Sequence, residues 1–283
     1  MNKIFFFIII TFTASTVIAR DYKETENIIN QILQQNKQAE TVSPQDEQEE
    51  EEEQNQPPRR NRRAAGSPTA AEELNLYRIG MQFYESSLFD NALNHFDDLL
   101  ERFPMSQYAD SARIWRGRSL MKKRAFRDAI SAFSAVSEIS GEYPAALFNA
   151  GLCHIYLRQP NNALAAFQRI IIQFPENSLA DKALLESAKI HFHQNNGQKA
   201  VEYLIRIIKS YPNRETVAEA YYQLAKVFEQ DSSMRDIEAA RSLLKQFLRK
   251  AKQGEKFFVD SPLRERVVRD LNHIERNYFK FEN

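Results

Sequence analysis

Side chains suited to chemistry are sparse in this sequence and badly placed for it. Of five histidines, His191 and His193 stand two apart. On a helix that spacing turns their rings about 200° from each other, so they cannot share a metal ion. His95, His154 and His273 are isolated. The single cysteine, Cys153, excludes an internal disulfide and falls among apolar positions at helical spacing, where it reads as a small buried hydrophobe. Glu47–Glu53 is almost wholly acidic. Paired carboxylates do acid–base work only when a rigid frame tunes them differently, and this run has none. No H-E-x-x-H, G-x-S-x-G, Walker loop or dinucleotide glycine fingerprint occurs. The sequence therefore points away from an enzyme and calls for no cofactor and no metal.

What is regular is the spacing of small residues. Gly80, Gly117, Gly151, Ala188 and Ala225 recur at intervals of 37, 34, 37 and 37. Ala92, Ala129, Ala163 and Ala200 each follow twelve residues later, and Ala240 follows Ala225 by fifteen. Four further on come Phe96, Phe133, Phe167, Leu204 and Leu244. Residues four apart share a helical face. The alanine lets a second helix approach the first, the glycine answers it there, and the large residue fills the space beside them. Phe103-Pro104, Phe174-Pro175 and Tyr211-Pro212 stop the second helices, because proline disfavours helix in the residue before it. Two of the longer spacings share a Pro…Ala-Asp…Ala pattern, Pro104…Ala109-Asp110…Ala112 and Pro175…Ala180-Asp181…Ala183, and Pro212…Ala220 keeps part of it; it reads as a near-turn added at the start of the following helix. The fifth unit carries an insertion around Asp231 to Arg235. Leu263 to Phe281 closes the chain with Val267, Leu271, Ile274 and Tyr278 at helical spacing. A period in this range marks a solenoid, which buries a core only by stacking neighbours.

These units resemble the tetratricopeptide repeat (TPR) family. The third unit fills the family's signature positions with Leu147, Ala150, Gly151, His154, Ala163, Phe167, Ile170 and Pro175. The first fills them with Leu76, Ile79, Gly80, Phe83, Ala92, Phe96, Leu99 and Pro104. The second has Arg113 where the family favours tryptophan, and the fourth has Ala188 for glycine and Leu204 for phenylalanine. The resemblance implies an all-α fold: a right-handed superhelical solenoid of about five TPR helix pairs over residues 72–252, with a C-terminal capping helix over 253–283. In that family the inner faces of the first helices line a concave groove. Carried over, the resemblance implies a peptide-binding groove of Tyr77, Met81, Tyr84, Ile114, Arg118, Met121, Phe148, Leu152, Ile155, Leu185, Lys189, Phe192, Tyr222 and Lys226. Such a lining, aromatic and aliphatic with a few cations, suits an extended peptide or amphipathic helix with some acidic character. Tyr77, Ile114 and Phe148 occupy places where some members clamp a C-terminal carboxylate, so that specificity is not expected.

Ahead of the repeats, residues 1–19 have the layout of a cleavable signal peptide: Asn2-Lys3, an apolar run from Ile4 to Thr13, and Val17-Ile18-Ala19 before the expected cut. The run is interrupted and short of the roughly 20 residues a spanning helix needs; a retained anchor is the alternative. The expected location is periplasmic. Residues 20–71 read as a disordered charged linker, with Glu47–Glu53 followed by Arg59-Arg60-Asn61-Arg62-Arg63. Within it, Tyr22, Ile29 and Asn36 sit seven apart, as do Thr25, Ile32 and Ala39. Residues 22–40 therefore read either as a short amphipathic helix or as a weakly self-associating coil. The formal net charge is zero and no aromatic–basic platform stands out along the repeats, which leaves no case for nucleic acid.

The leader, the variable segment and the Phe-Pro…Ala-Asp…Ala insertion together resemble two bacterial envelope groups. One is the periplasmic protein associated with the Tol–Pal system; the other is the lipoprotein component of the outer-membrane β-barrel assembly machine. Five units favour the second and the missing lipid-anchor cysteine disfavours it. The resemblance implies an exported TPR scaffold for protein–protein interactions in the cell envelope, serving envelope maintenance or cell division. The alternative is a subunit of the β-barrel assembly machinery. Expected partners are other envelope proteins or peptide segments.

Overall fold

The computed structural model describes residues 68–279. The leader, most of the charged linker and the stretch 22–40 lie outside the described residues. Among the described residues there are twelve helices and no strand. They are α1 (Pro68–Glu85), α2 (Phe89–Arg102), α3 (Ala109–Lys122), α4 (Phe126–Ser134), α5 (Tyr143–Tyr156), α6 (Pro160–Gln173), α7 (Ala180–His193), α8 (Gly197–Ser210), α9 (Thr216–Gln230), α10 (Ile237–Lys252), α11 (Lys256–Val259) and α12 (Arg264–Tyr278). No described helix is long and apolar enough to cross a membrane. The chain divides into two compact units between Ala183 and Leu184, inside α7.

In the unit ending at Ala183, each helix packs on the next, and the first helices of successive pairs also touch, α1 with α3 and α3 with α5. The seam within each pair is a glycine facing a phenylalanine ring. A Cβ placed on Gly80, Gly117 or Gly151 would lie 2.6, 2.4 or 2.5 Å from Cε1 of Phe96, Phe133 or Phe167. All three rings are buried, beside Ala92, Ala129 and Ala163. A mid-helix glycine costs up to about 1 kcal/mol against alanine, and the ring in direct contact with the backbone offsets that cost. In the unit from Leu184 onward, Ala188 and Ala225 stand at the small position and Leu204 and Leu244 at the large one, all buried. The small side of the seam has gained a methyl and the large side has exchanged a ring for a smaller branched chain.

The helix stops follow the sequence reading. Phe103, Phe174 and Tyr211 end α2, α6 and α8, donating their backbone N–H to the carbonyls of Leu99, Ile170 and Ile207. The origin of the two spacings does not follow it. First helices α3, α5 and α7 all begin eight residues before their small residue, so none carries an added near-turn. The difference lies in the second helices: α2, α6 and α8 have 14 residues and α4 has 9. Without a proline, α4 ends early at Ser134, and a longer loop with buried Val136 returns the chain to α5. Asp110 of the shared motif serves that loop, accepting the Ser137 N–H at 3.2 Å while pairing with Arg113 at 2.8 Å.

The insertion in the fifth unit is likewise built by an aspartate. Asp231 Oδ1 accepts from the Ser233 hydroxyl (2.6 Å), the Ser233 N–H (2.9 Å) and the Met234 N–H (3.1 Å). Its carboxylate also sits against Gly197 at the start of α8, where a Cβ would lie 2.4 Å from its Cγ. Burial alone would raise this carboxyl; the Ser233, Met234 and Gly197 hydrogen bonds outweigh it and hold the group below the usual carboxylate range. After α10, Val267, Leu271 and Ile274 of α12 are buried and α12 packs on α10. Tyr278, the fourth apolar position of that stretch, is exposed instead.

Cys153 is buried, and burial pushes its thiol up to about 12. His191 is 9% exposed and its ring stacks on Tyr203 of α8 at 5.5 Å. Its Nδ1 has no hydrogen-bond partner among the described residues. Burial, with a smaller push from Lys199, holds this imidazole below its ordinary pKa of about 6.5.

Two outcomes follow from this packing. Gly117→Ala should lower the unfolding midpoint, with a loss of about 1–3 kcal/mol from overpacking against Phe133, although helix propensity alone predicts a gain. Gly117→Ala combined with Phe133→Leu should recover part of that loss, as read by chemical denaturation. His191 provides a pH dependence. Its folded pKa lies below the unfolded value, so the unfolded chain takes up the proton first and stability falls as pH drops below about 6.5. Between pH 7 and 5 the midpoint of His191→Phe should fall less than that of the wild type.

Candidate functional site

The side chains expected in the groove divide between the two units and behave differently in each. In the first unit they form an aromatic surface on α1 and α3. Tyr77 stacks on Tyr108 at 5.3 Å, and Tyr84 meets Trp115 edge-on at 4.9 Å. The Arg118 guanidinium lies over the Trp115 ring, 4.5 Å from its centroid, a cation–π contact. Arg118 has no carboxylate partner among the described residues. Burial raises the Tyr77 hydroxyl pKa against the opposing pull of hydrogen bonds with Trp115 and Ser111. Met81, Met121, Leu152 and Ile155 are half-buried. Phe148 is also half-buried, and its ring packs on Phe167 at 5.6 Å. Ile114 does not reach this surface: at 1% exposure it is core, enclosed where α3 meets its neighbours.

In the second unit the expected lining is largely spoken for. Leu185 and Tyr222 are buried, at 4% and 6% exposure. Tyr222 donates its hydroxyl to Asp270 of α12 at 2.9 Å; burial and that carboxylate push its pKa up to about 12. Lys189 bonds Glu186 at 2.9 Å and Glu219 of α9 at 2.8 Å. Burial would lower its pKa, but the two carboxylates outweigh it and hold the ammonium charged. Lys226 pairs with Glu229 at 2.5 Å and lies 3.6 Å from Asp270. Phe192 is half-buried. The two lysines are thus already paired with the protein's own carboxylates and are not free cations for an acidic ligand. Ile114, Leu185 and Tyr222 leave the groove because burial removes them. Lys189 and Lys226 leave it as ligand-binding charges because their carboxylates are already in place.

Sequence reasoning passed over Trp115, the tryptophan on which Tyr84 and Arg118 converge. It sits two residues before Gly117, off the mapped positions. The i,i+3 pairs Glu186–Lys189 and Lys226–Glu229 were visible as spacings on one helical face. Glu219 and Asp270 come from other helices and had no sequence signal.

A second feature differs from the sequence reading. Read along the sequence, the repeats hold no aromatic–basic platform; the fold assembles one at the turns between paired helices. Phe126 at the start of α4 stacks on Tyr156 at the end of α5, at 4.7 Å and 7°. Lys122, Arg124, Arg127 and Arg158 are exposed in and beside the same two turns. Among the described residues no group of three or more His, Cys, Asp or Glu side chains could hold a metal ion.

With this geometry in view, comparisons with known proteins identify the fold. One family model described as a tetratricopeptide repeat matches residues 77–144, and a second matches residues 145–177 and 182–214. The solved structure of MamA protein is similar with a TM-score of 0.53 at 19% identity, covering 64% of this chain and 94% of its own. A structure of Podosopora anserina kinesin-light-chain TPR-like repeats gives 0.52 at 12% identity, covering 68% and 100%. The apo form of RapI gives 0.51 at 16% identity, covering 76% and 67%. At such identities the likeness is one of fold. No functionally curated protein matches the chain. The helix pairs within residues 77–144, 145–177 and 182–214 therefore match tetratricopeptide repeats, a repeat type that serves as a framework for protein–protein interaction.

Proposed function

We propose that this chain is an exported scaffold of the bacterial envelope, holding an extended segment of a partner protein on the aromatic face of α1, α3 and α5. The observation that carries this reading is the cluster of Tyr77, Tyr84, Trp115 and Arg118. Its rings are half-buried but not enclosed, and its one cation has no carboxylate partner among the described residues. Aromatic rings and an arginine are the side chains that concentrate binding energy at protein interfaces. Half-buried Met121, Leu152 and Ile155 continue the apolar character onto the next repeat. The partner segment is apolar with an acidic residue for Arg118. Aromatic edges here leave no site for the lysine-based carboxylate clamp. The export half of the reading rests on Asn2-Lys3, the apolar run to Thr13 and Val17-Ile18-Ala19.

A photo-crosslinking residue at Met81, Met121 or Leu152 should capture a partner in intact cells. At exposed Asn94 and Gln168 of second helices α2 and α6 it should not; equal yields at both sets would place binding elsewhere. Phe148→Asp is a poor probe, because its ring supports Phe167 and its loss would weaken the core. Mass spectrometry of the protein from cells should find a mature N-terminus at Arg20; an intact residue 1 would turn the leader into an anchor.

A further inference from the structure

The turns between paired helices form an edge of the first unit distinct from the face assigned to the partner. Two of them, α3 to α4 and α5 to α6, are brought together by the Phe126–Tyr156 stack. Tyr156 is 63% exposed, which is much for an aromatic ring that is already stacked. In and beside the same two turns stand Lys122, Arg124, Arg127 and Arg158, all exposed and none with an ion-pair partner among the described residues. Lys123 beside them is already paired with Asp90, and Asp128 on α4 is the other carboxylate close in sequence. Arg124 and Arg158 are held at φ of 64° and 58°, a left-handed conformation that costs roughly 1–2 kcal/mol for a residue with a Cβ. Glycine or asparagine would adopt it more readily, so backbone geometry does not account for arginine at both places.

We infer that this cationic edge is a docking surface for the chain's own acidic run, Asp46–Glu53. Charge favours it: the run carries seven carboxylates in eight residues, and the four cations of the edge have no ion-pair partner among the described residues. Reach favours it too. Fourteen residues lie between Glu53 and Pro68, and their fifteen steps reach about 50 Å when extended. The 18 residues of α1 span only about 27 Å from Pro68 to the turn edge. Tethering sets the local concentration of such a segment near the millimolar range, well above that of a free acidic peptide. Arg59–Arg63 lies nearer to the acidic run, yet it has no aromatic platform and Pro57-Pro58 stands between the two blocks. Docked on the edge, the acidic run covers Tyr156 and cancels the charge that would otherwise attract anionic surfaces or acidic proteins. A partner of greater negative charge would have to displace it.

The full chain offers a clean test, because no lysine lies between Lys37 and Lys122. Zero-length carbodiimide joins carboxylates to lysines and leaves arginine untouched. We expect intramolecular crosslinks from Glu47–Glu53 to Lys122 or Lys123 in the monomer. The yield should fall about fivefold in 0.5 M salt, where screening is strong. The combined variant Arg124→Glu, Arg127→Glu, Arg158→Glu should lose them to the same extent with unchanged helical circular dichroism. Should that variant misfold, Glu49→Gln through Glu53→Gln leaves the described residues intact and should raise acetylation of Lys122 severalfold. Crosslinks found only between chains, or Lys122 acetylation unmoved by the glutamines, would overturn the inference. So would equal binding of phosphatidylglycerol vesicles by the wild type and the glutamine variant, since the edge would then be open.

Discussion

A ring against bare backbone is the contact on which the repeats depend. Gly80, Gly117 and Gly151 let Phe96, Phe133 and Phe167 lie where a methyl group would have to be. Interiors pack to crystal-like density, so a single carbon at such a place is felt across the hairpin. In the later repeats alanine and leucine stand at these two positions, and both are buried. This fixes how near the two helices of a pair can come, and so which of their other faces remain for neighbours and partners. The alanines that follow each glycine by twelve residues belong to the same seam; all are buried to 0% exposure in the repeats through Ala200.

Much of this was legible in the sequence, because it is periodic. Helix pairs, their stops at Phe-Pro and Tyr-Pro, and the seam residues all repeat at fixed offsets, and a local rule suffices to read them. The origin of the 34-residue spacing was misread, since a shortened second helix and an absent near-turn leave the same count of residues. Only the length of α4 separates them. The site was less legible. Tyr77, Tyr84 and Arg118 are half-buried, whereas Ile114, Leu185 and Tyr222 are buried, because a helix face does not state how deeply a neighbour will cover it. Lys189 and Lys226 show the same limit for charge. Whether a lysine is free depends on carboxylates 30 and 44 residues away, at Glu219 and Asp270.

The two units consequently present different chemistry on equivalent positions. The first keeps rings and a cation in partial contact with water. The second closes its polar groups on one another through Lys189, Glu219, Lys226 and Asp270. Closed pairs of this kind gain little as surface attraction, but they order helices α7, α9 and α12 by joining them side chain to side chain. The contrast is between half-buried rings in the first repeats and closed ion pairs in the last.

The turns between paired helices carry a further consequence. Ser87, Arg124, Arg158 and Asn195 occupy the same left-handed turn position and are all exposed. None of these side chains is needed for the turn, as glycine would serve the backbone better. Each turn therefore offers one position where composition can drift with almost no penalty to the core. Over evolutionary time such places can acquire or shed charge singly, so descendants of one scaffold could diverge in what they attract while keeping an unchanged interior.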